Sequence, residues 1–282
     1  QAPHPEGHVD FATLDEWSIV TVLAATPTVA AYDPTTTQPP KATTQPISLD
    51  GLLARDPGAF VGRRHEQRQL PHKVTALNTA GALLHGIGGV GKTTLAAELI
   101  RRVHLREPER LLAVCTGPLD VDRLLASVAA PIRQCLLLNG QVTGTAWTAT
   151  DLATRVDLPW ADRFALLRDH VLTQVPILVV LDNFEDNLTA TDTGTWQLTD
   201  PTLADLLGAW LLTPETSRLL ITSRFPFALP HNAEQRLLAR HLGPLTYAET
   251  TKLAWSLPAL DRLDPADLEL VWRTVGGHPR AL

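Results

Sequence analysis

Residues 86 to 94 read Gly86-Ile-Gly-Gly-Val-Gly-Lys-Thr-Thr94. They fill the pattern G-x-x-x-x-G-K-S/T, with Gly86, Gly91, Lys92 and Thr93 in the fixed places. A short apolar run, residues 80–85, precedes them, and residues 94–100 have the composition of an amphipathic helix. A strand, a glycine-rich turn and a helix in that order form a phosphate cradle. Glycines let the backbone close round phosphate oxygens, N–H groups point inward, and the helix N-terminus adds partial positive charge. Gly86, Gly88, Gly89, Val90, Gly91, Lys92, Thr93 and Thr94 are therefore the expected phosphate-binding residues. Lys92 is expected on the β and γ phosphates, and the Thr93 hydroxyl on Mg²⁺.

The rest of the chain limits what such a cradle can serve. Its 282 residues suffice for one large domain or two small ones, and they carry a net charge of −6. No overall basic field draws it to nucleic acid or an anionic membrane, so neither partner is expected. No apolar run approaches the roughly 20 residues of a membrane span. Cys115 and Cys135 form no disulfide framework and no metal-ligand spacing; two buried free thiols and a cytoplasmic location are expected. The chain starts at Gln1 and has no methionine, so it is expected to be a piece of a longer protein.

Alternating β-like and α-like segments from residue 80 onward predict an α/β fold, a doubly wound parallel sheet followed by a small all-helical subdomain. Strands are expected at residues 80–85, 110–115, 176–181, 218–222 and 234–239. Helices are expected at 92–104, 120–137, 161–174 and 203–212, with loops at 139–160 and 187–201. Beyond residue 245 the strands stop, and helices at 246–257 and 265–275 are expected. Residues 33–50, rich in Pro, Thr and Gln, read as a linker after two short strands at 17–24 and 28–32. The expected domains are thus an N-terminal segment and linker, 1–50, a nucleotide-binding domain, 51–243, and a helical subdomain, 244–282.

A phosphate cradle needs an acid at the end of a neighbouring buried strand to hold Mg²⁺. Asp182 follows the most hydrophobic run of the chain and fits that position. Glu185 is the first candidate to orient an attacking water, with Asp186 second. Arg224 closes the next predicted strand, where an arginine can sense the γ-phosphate.

Five blocks in order across residues 59–282 resemble the STAND class of signal-transduction ATPases, particularly its NB-ARC branch with NACHT-like features. Phe60-Val-Gly-Arg-Arg-His-Glu66 is similar to a Gly-Arg-Glu-x-Glu block, with Arg64 in place of the first glutamate. The P-loop follows. Leu181-Asp-Asn-Phe-Glu-Asp186 resembles the family's Walker B, with Asn183 replacing the second acid usual in NB-ARC and an acidic pair nearer the NACHT arrangement. Residues 221–224 resemble the sensor block, and residues 276–282 the GxP block.

The resemblance implies that Val61, Gly62 and Arg63 contact adenine and that Pro279 packs near adenine and ribose. It implies ATP, ADP and Mg²⁺ as ligands, slow ATPase activity, and a switch in which the ATP state permits self-association. Winged-helix and sensor domains would follow the GxP block, and without them nucleotide binding without regulation is expected. Residues 15–20 are also similar to the end of effector domains fused to bacterial STAND proteins, caspase-like ones included. The alternatives are a DNA-acting ATPase of the AAA+ or helicase type, a scaffold that holds ADP permanently, and a metabolite kinase.

Overall fold

A computed structural model describes residues 60–76, 79–212, 216–257, 260 and 262–282. The two strands and linker read within residues 1–50 lie outside the described residues. The elements in order are α1 (Arg64–Val74), β1 (Gly81–His85), α2 (Lys92–Arg106), β2 (Leu111–Thr116), α3 (Val121–Leu138) and α4 (Thr145–Leu152). Then come α5 (Trp160–Leu167), β3 (Ile177–Asp182), β4 (Leu188–Ala190), β5 (Trp196–Leu198) and α6 (Pro201–Leu212). β6 (Arg218–Ser223), β7 (Leu237–His241), α7 (Tyr247–Trp255) and α8 (Pro265–Val275) complete the chain.

Five strands form one parallel sheet in the order β2-β3-β6-β1-β7. Parallel strands need both faces covered, and β3 shows how one apolar run serves both. Its Ile177, Val179 and Leu181 enter the core packed with α3, α5 and α6, whereas Leu178 and Val180 enter the core under α1 and α2. β6 divides the same way, with Leu219 and Ile221 on one side and Leu220 on the other. A period of two thus accounts for unbroken hydrophobicity, because each residue has a core of its own. Among the described residues, no helix is long and apolar enough to cross a membrane.

Four segments depart from the sequence-based expectation. Residues 139–160 contain a helix, α4, whose Thr148 and Thr150 hydroxyls turn back onto the Gly144 and Ala146 carbonyls. Threonines that satisfy their hydroxyls on the preceding turn tolerate a helix that composition alone disfavours. Residues 187–201 contain the hairpin β4–β5 rather than only a loop; its three-residue strands are too short to show a period. The last strand starts at Leu237 because Pro230–Arg236 is a 3₁₀ segment broken by His231 and Asn232, with φ of 59° and 55°. α1 was not expected: Pro71 and a basic, glutamine-rich sequence mask its buried face of Gln67, Leu70, Pro71 and Val74. Two smaller differences concern α5, which passes into a π-helical turn at Arg168–Leu172, and Cys135, which is half-buried while Cys115 is buried.

The entry to β1 leaves no room for a side chain. A Cβ on Gly81 would lie 1.8 Å from the Leu219 carbonyl oxygen of the neighbouring strand. Gly81→Ala is expected to destabilise the chain by about 3 kcal/mol, the upper part of the range for overpacking. A shift of the urea midpoint measures it, and an unchanged midpoint would contradict this packing.

Candidate nucleotide-binding site

The carboxyl ends of all five strands share one edge, where open α/β sheets place ligands. There the chain leaves β1 at His85, forms the loop 86–91 and enters α2 at Lys92. Gly86 has φ 152°, and a Cβ on it would stand 2.5 Å from the Leu242 carbonyl oxygen, so the loop lies flat against the end of β7. The Lys92 ammonium is buried at 7% exposure and donates to the carbonyls of Gly86, at 2.8 Å, and Ile87, at 3.1 Å. Burial pushes its pKa below the ordinary lysine value; Arg224 adds to that, and Glu185 and Asp182 oppose it. The cation is held in the mouth of the loop, and among the described residues its hydrogen-bond partners are backbone carbonyls.

β6 lies between the loop's strand and β3, and this brings three elements to one carboxylate. Asp182 is 3% exposed. Its Oδ1 accepts from the Thr93 hydroxyl at 2.9 Å and from the Thr222 hydroxyl at 2.5 Å, and its Oδ2 accepts from Thr93 at 3.1 Å. Thr222 in turn accepts from the Asn183 backbone N–H at 3.1 Å. Past this point the chain turns through Asn183, at φ 55°, buries Phe184 and presents Glu185 to Arg224. The Arg224 side chain donates from Nε to Glu185 Oε1 at 3.0 Å, and its backbone N–H donates to Oε2 at 3.2 Å. The carboxylate is 13% exposed and the guanidinium 58%. Asp186 instead faces Gly117 beyond β2.

The opposite wall comes from the two ends of the described chain. Arg63 adopts a left-handed conformation, φ 53°, and its buried guanidinium donates to the carbonyls of Val90, at 2.8 Å, and Gly243, at 2.7 Å. Its backbone N–H donates to Glu249, whose carboxylate also closes the capping box of α7 with Thr246. The turn at Gly62 and Arg63 is thereby fastened to both the P-loop and the helical segment. Behind it, Gln67 donates to the Gly62 carbonyl at 2.6 Å, and Arg102 joins Gln67 to Glu98.

A cleft of about 590 Å³ lies between these walls. Among the residues expected from the sequence, Val61, Arg63, Gly88, Gly89, Val90, Gly91, Lys92, Thr93, Thr94, Glu185, Arg224 and Pro279 line it. Gly62, Gly86 and Asp182 stand behind the lining, where they hold Gln67, Lys92 and Thr93. Sequence reasoning missed Phe60, Asn183, Leu245, Leu253, Leu257 and Arg280, which also line the cleft. Leu253 lies in α7 and Leu257 two residues past its end, and nothing local in the sequence shows which neighbour they meet.

The site has the donor set that a magnesium nucleotide requires. Thr93 and Asp182 bring two hard oxygen ligands together, and among the described residues no group of three or more His, Cys, Asp or Glu forms a metal cage. That fits Mg²⁺, which takes few protein ligands and completes its shell with water and phosphate oxygens. The positive-φ loop and its buried ammonium fit the phosphates.

The sheet order and the loop define the α/β fold of P-loop ATPases. No family model and no curated protein matches the chain. Among solved structures it is similar to a signal transduction ATPase with numerous domains (STAND) that carries a tetratricopeptide repeat sensor, from Pyrococcus horikoshii. The two are 16% identical over 80% of this chain and 29% of that one, with a TM-score of 0.55. A Walker-type ATPase of Pyrococcus abyssi matches with 15% identity over 78% of this chain and 65% of that one, TM-score 0.50. The Orc1 protein of Aeropyrum pernix, solved in complex with DNA, matches at 19% identity over 80% and 58% of the chains, with a lower TM-score of 0.46. With the two Pyrococcus ATPases the fold is shared; the expectation against nucleic acid rests on net charge alone. The chain spans less than a third of the length of the STAND structure.

The web behind Gly62 is sensitive to acid. Burial alone would raise the Glu98 pKa, but hydrogen bonds from Arg101 and Arg102 pull it below the ordinary value. The folded carboxyl therefore binds its proton less readily than the unfolded one. Its contribution to stability is complete above the ordinary glutamate pKa of about 4.3 and is lost as pH falls through the lower folded value. Glu98→Gln is expected to lower stability at pH 7 and to flatten its decline below about pH 4.3; urea midpoints of both proteins across that range measure the difference.

Proposed function

We propose that the chain is an adenine-nucleotide-binding module that holds ATP or ADP with Mg²⁺ and hydrolyses ATP slowly, as the core of a signalling switch. The observation that carries this reading is the juxtaposition of Lys92, the Thr93–Asp182 pair and the Glu185–Arg224 pair along one side of a cleft whose other side is lined by Leu245, Leu253, Leu257, Pro279 and Arg280.

In this reading Val61 and Arg63 hold the adenine side with Pro279, Leu253 and Leu257 across from them, and Gly62 shapes the turn. The N–H groups of residues 88–94 and the Lys92 ammonium bind the phosphates, exchanging the loop's own carbonyls for stronger anionic acceptors. Thr93 and Asp182 hold Mg²⁺, which supplies charge neutralisation at the phosphate oxygens. Glu185 accepts a proton from the attacking water at its carboxylate, and Arg224 meets the γ-phosphate. In the structure these last two are bonded to each other, so arrival of a γ-phosphate would draw Arg224 away and release the carboxylate for water.

The cleft has one wall from the sheet edge and one from the helical segment, and ligands that differ by a phosphate would favour different positions of that segment. This supports a switch over a metabolic enzyme. Self-association in the ATP state, and winged-helix and sensor domains in the full-length protein, belong to the same proposal.

Nucleotide titration and single-turnover hydrolysis test it. Lys92→Ala is expected to weaken ATP at least about tenfold, the effect of one charge-assisted contact. Asp182→Asn should mainly cost Mg²⁺-dependent turnover, with less effect on nucleotide binding. Glu185→Gln should lower the hydrolysis rate by about 10²-fold or more while ATP still binds. A wild-type chain that binds ATP with Mg²⁺ and never releases phosphate would overturn the hydrolytic part.

A further inference from the structure

Two successive loop residues each lie against an arginine from a different part of the fold. A Cβ on Gly88 would sit 3.7 Å from the guanidinium of Arg224, at the end of β6. A Cβ on Gly89 would sit 3.0 Å from Cβ and Cδ of Arg280, in the segment after α8. That segment is anchored on the loop: His278 Nε2 is 2.7 Å from the Gly88 carbonyl oxygen, which makes the ring nitrogen the donor. His278 Cε1 would be 2.6 Å from the same Cβ on Gly89, so the side-chain-free loop lets the segment close down on it.

The cations of the cleft are not equivalent. Arg63 and Lys92 donate to backbone carbonyls, and Arg224 donates to Glu185. Arg280 lines the cleft with its stem over Gly89, and among the described residues its guanidinium has no hydrogen-bond or ion-pair partner. A solvated surface arginine would need neither the packed stem nor the histidine anchor two residues before it.

We infer that Arg280 is a phosphate-binding residue delivered by the C-terminal segment, which with Arg224 clamps the terminal phosphate of a nucleoside triphosphate from the two sides of the Gly88–Gly89 peptide. The inference rests on the nucleotide-binding reading above and adds a role to it. A planar guanidinium suits bidentate contact with phosphate oxygens. Because the arginine belongs to the helical segment, the terminal phosphate would tie that segment to the loop and its loss would release it.

The test is calorimetric titration of the whole chain with Mg²⁺ and either a non-hydrolysable ATP analogue or ADP. R280A removes the side chain, and R280Q removes the charge but keeps most of the stem on Gly89. Both are expected to bind the analogue about 10- to 100-fold more weakly than wild type, and ADP less than about threefold more weakly. Their melting temperatures without nucleotide should match wild type, since the side chain is exposed. Wild-type affinity for the analogue in R280Q overturns the inference, as does an equal loss for ADP, which would place the guanidinium away from the terminal phosphate. If R280A does not fold, R280Q decides. A wild-type chain that binds neither nucleotide overturns the nucleotide reading itself, a result distinct from either of these.

Discussion

The Asp182 carboxylate is the interaction on which the site depends. It is 3% exposed, yet it collects hydroxyls from α2 and β6 while sitting at the end of β3. A buried charge is tolerated only when hydrogen-bonded, and here the bonds come from two other elements. The P-loop helix, the central strand and the strand that leads into Arg224 are therefore held in register at one point. Phe184, buried two residues on, holds the following turn. Glu185 is then brought to Arg224.

The second constraint is the join between the sheet domain and the helical segment. Arg63 donates to a P-loop carbonyl and to the Gly243 carbonyl, while Glu249 accepts from the Arg63 backbone. Buried networks of this kind are specific in geometry, since a half-made one leaves polar groups without partners. His278 adds a contact from the far end of the segment to Gly88. The two sides of the cleft are thus joined by polar fastenings, with Phe60, Leu245, Leu253 and Leu257 in its lining.

Much of the site was legible because it lies in local motifs. The loop 86–94 combines glycines and a lysine whose roles follow from backbone chemistry, and Asp182 was marked by the apolar run before it. Other parts were hidden for physical reasons. α4 uses threonines that satisfy their own hydroxyls, and β4–β5 is held by partners distant in sequence, such as Phe225, which stacks on Trp196 at 3.9 Å. Arg280 and His278 carry no local signal for the P-loop; about 190 residues separate His278 from Gly88.

By itself the sequence determined a parallel α/β sheet and the types of group at its carboxyl edge, because periodicity and glycine chemistry act over a few residues. Only the tertiary structure decided the strand order that sets β6 between the loop and Asp182, and the pairing of Glu185 with Arg224. It also decided that Phe60, Leu253, Leu257 and Arg280 share a cleft with Lys92. These depend on which buried faces meet, and packing selects that from partners far apart along the chain.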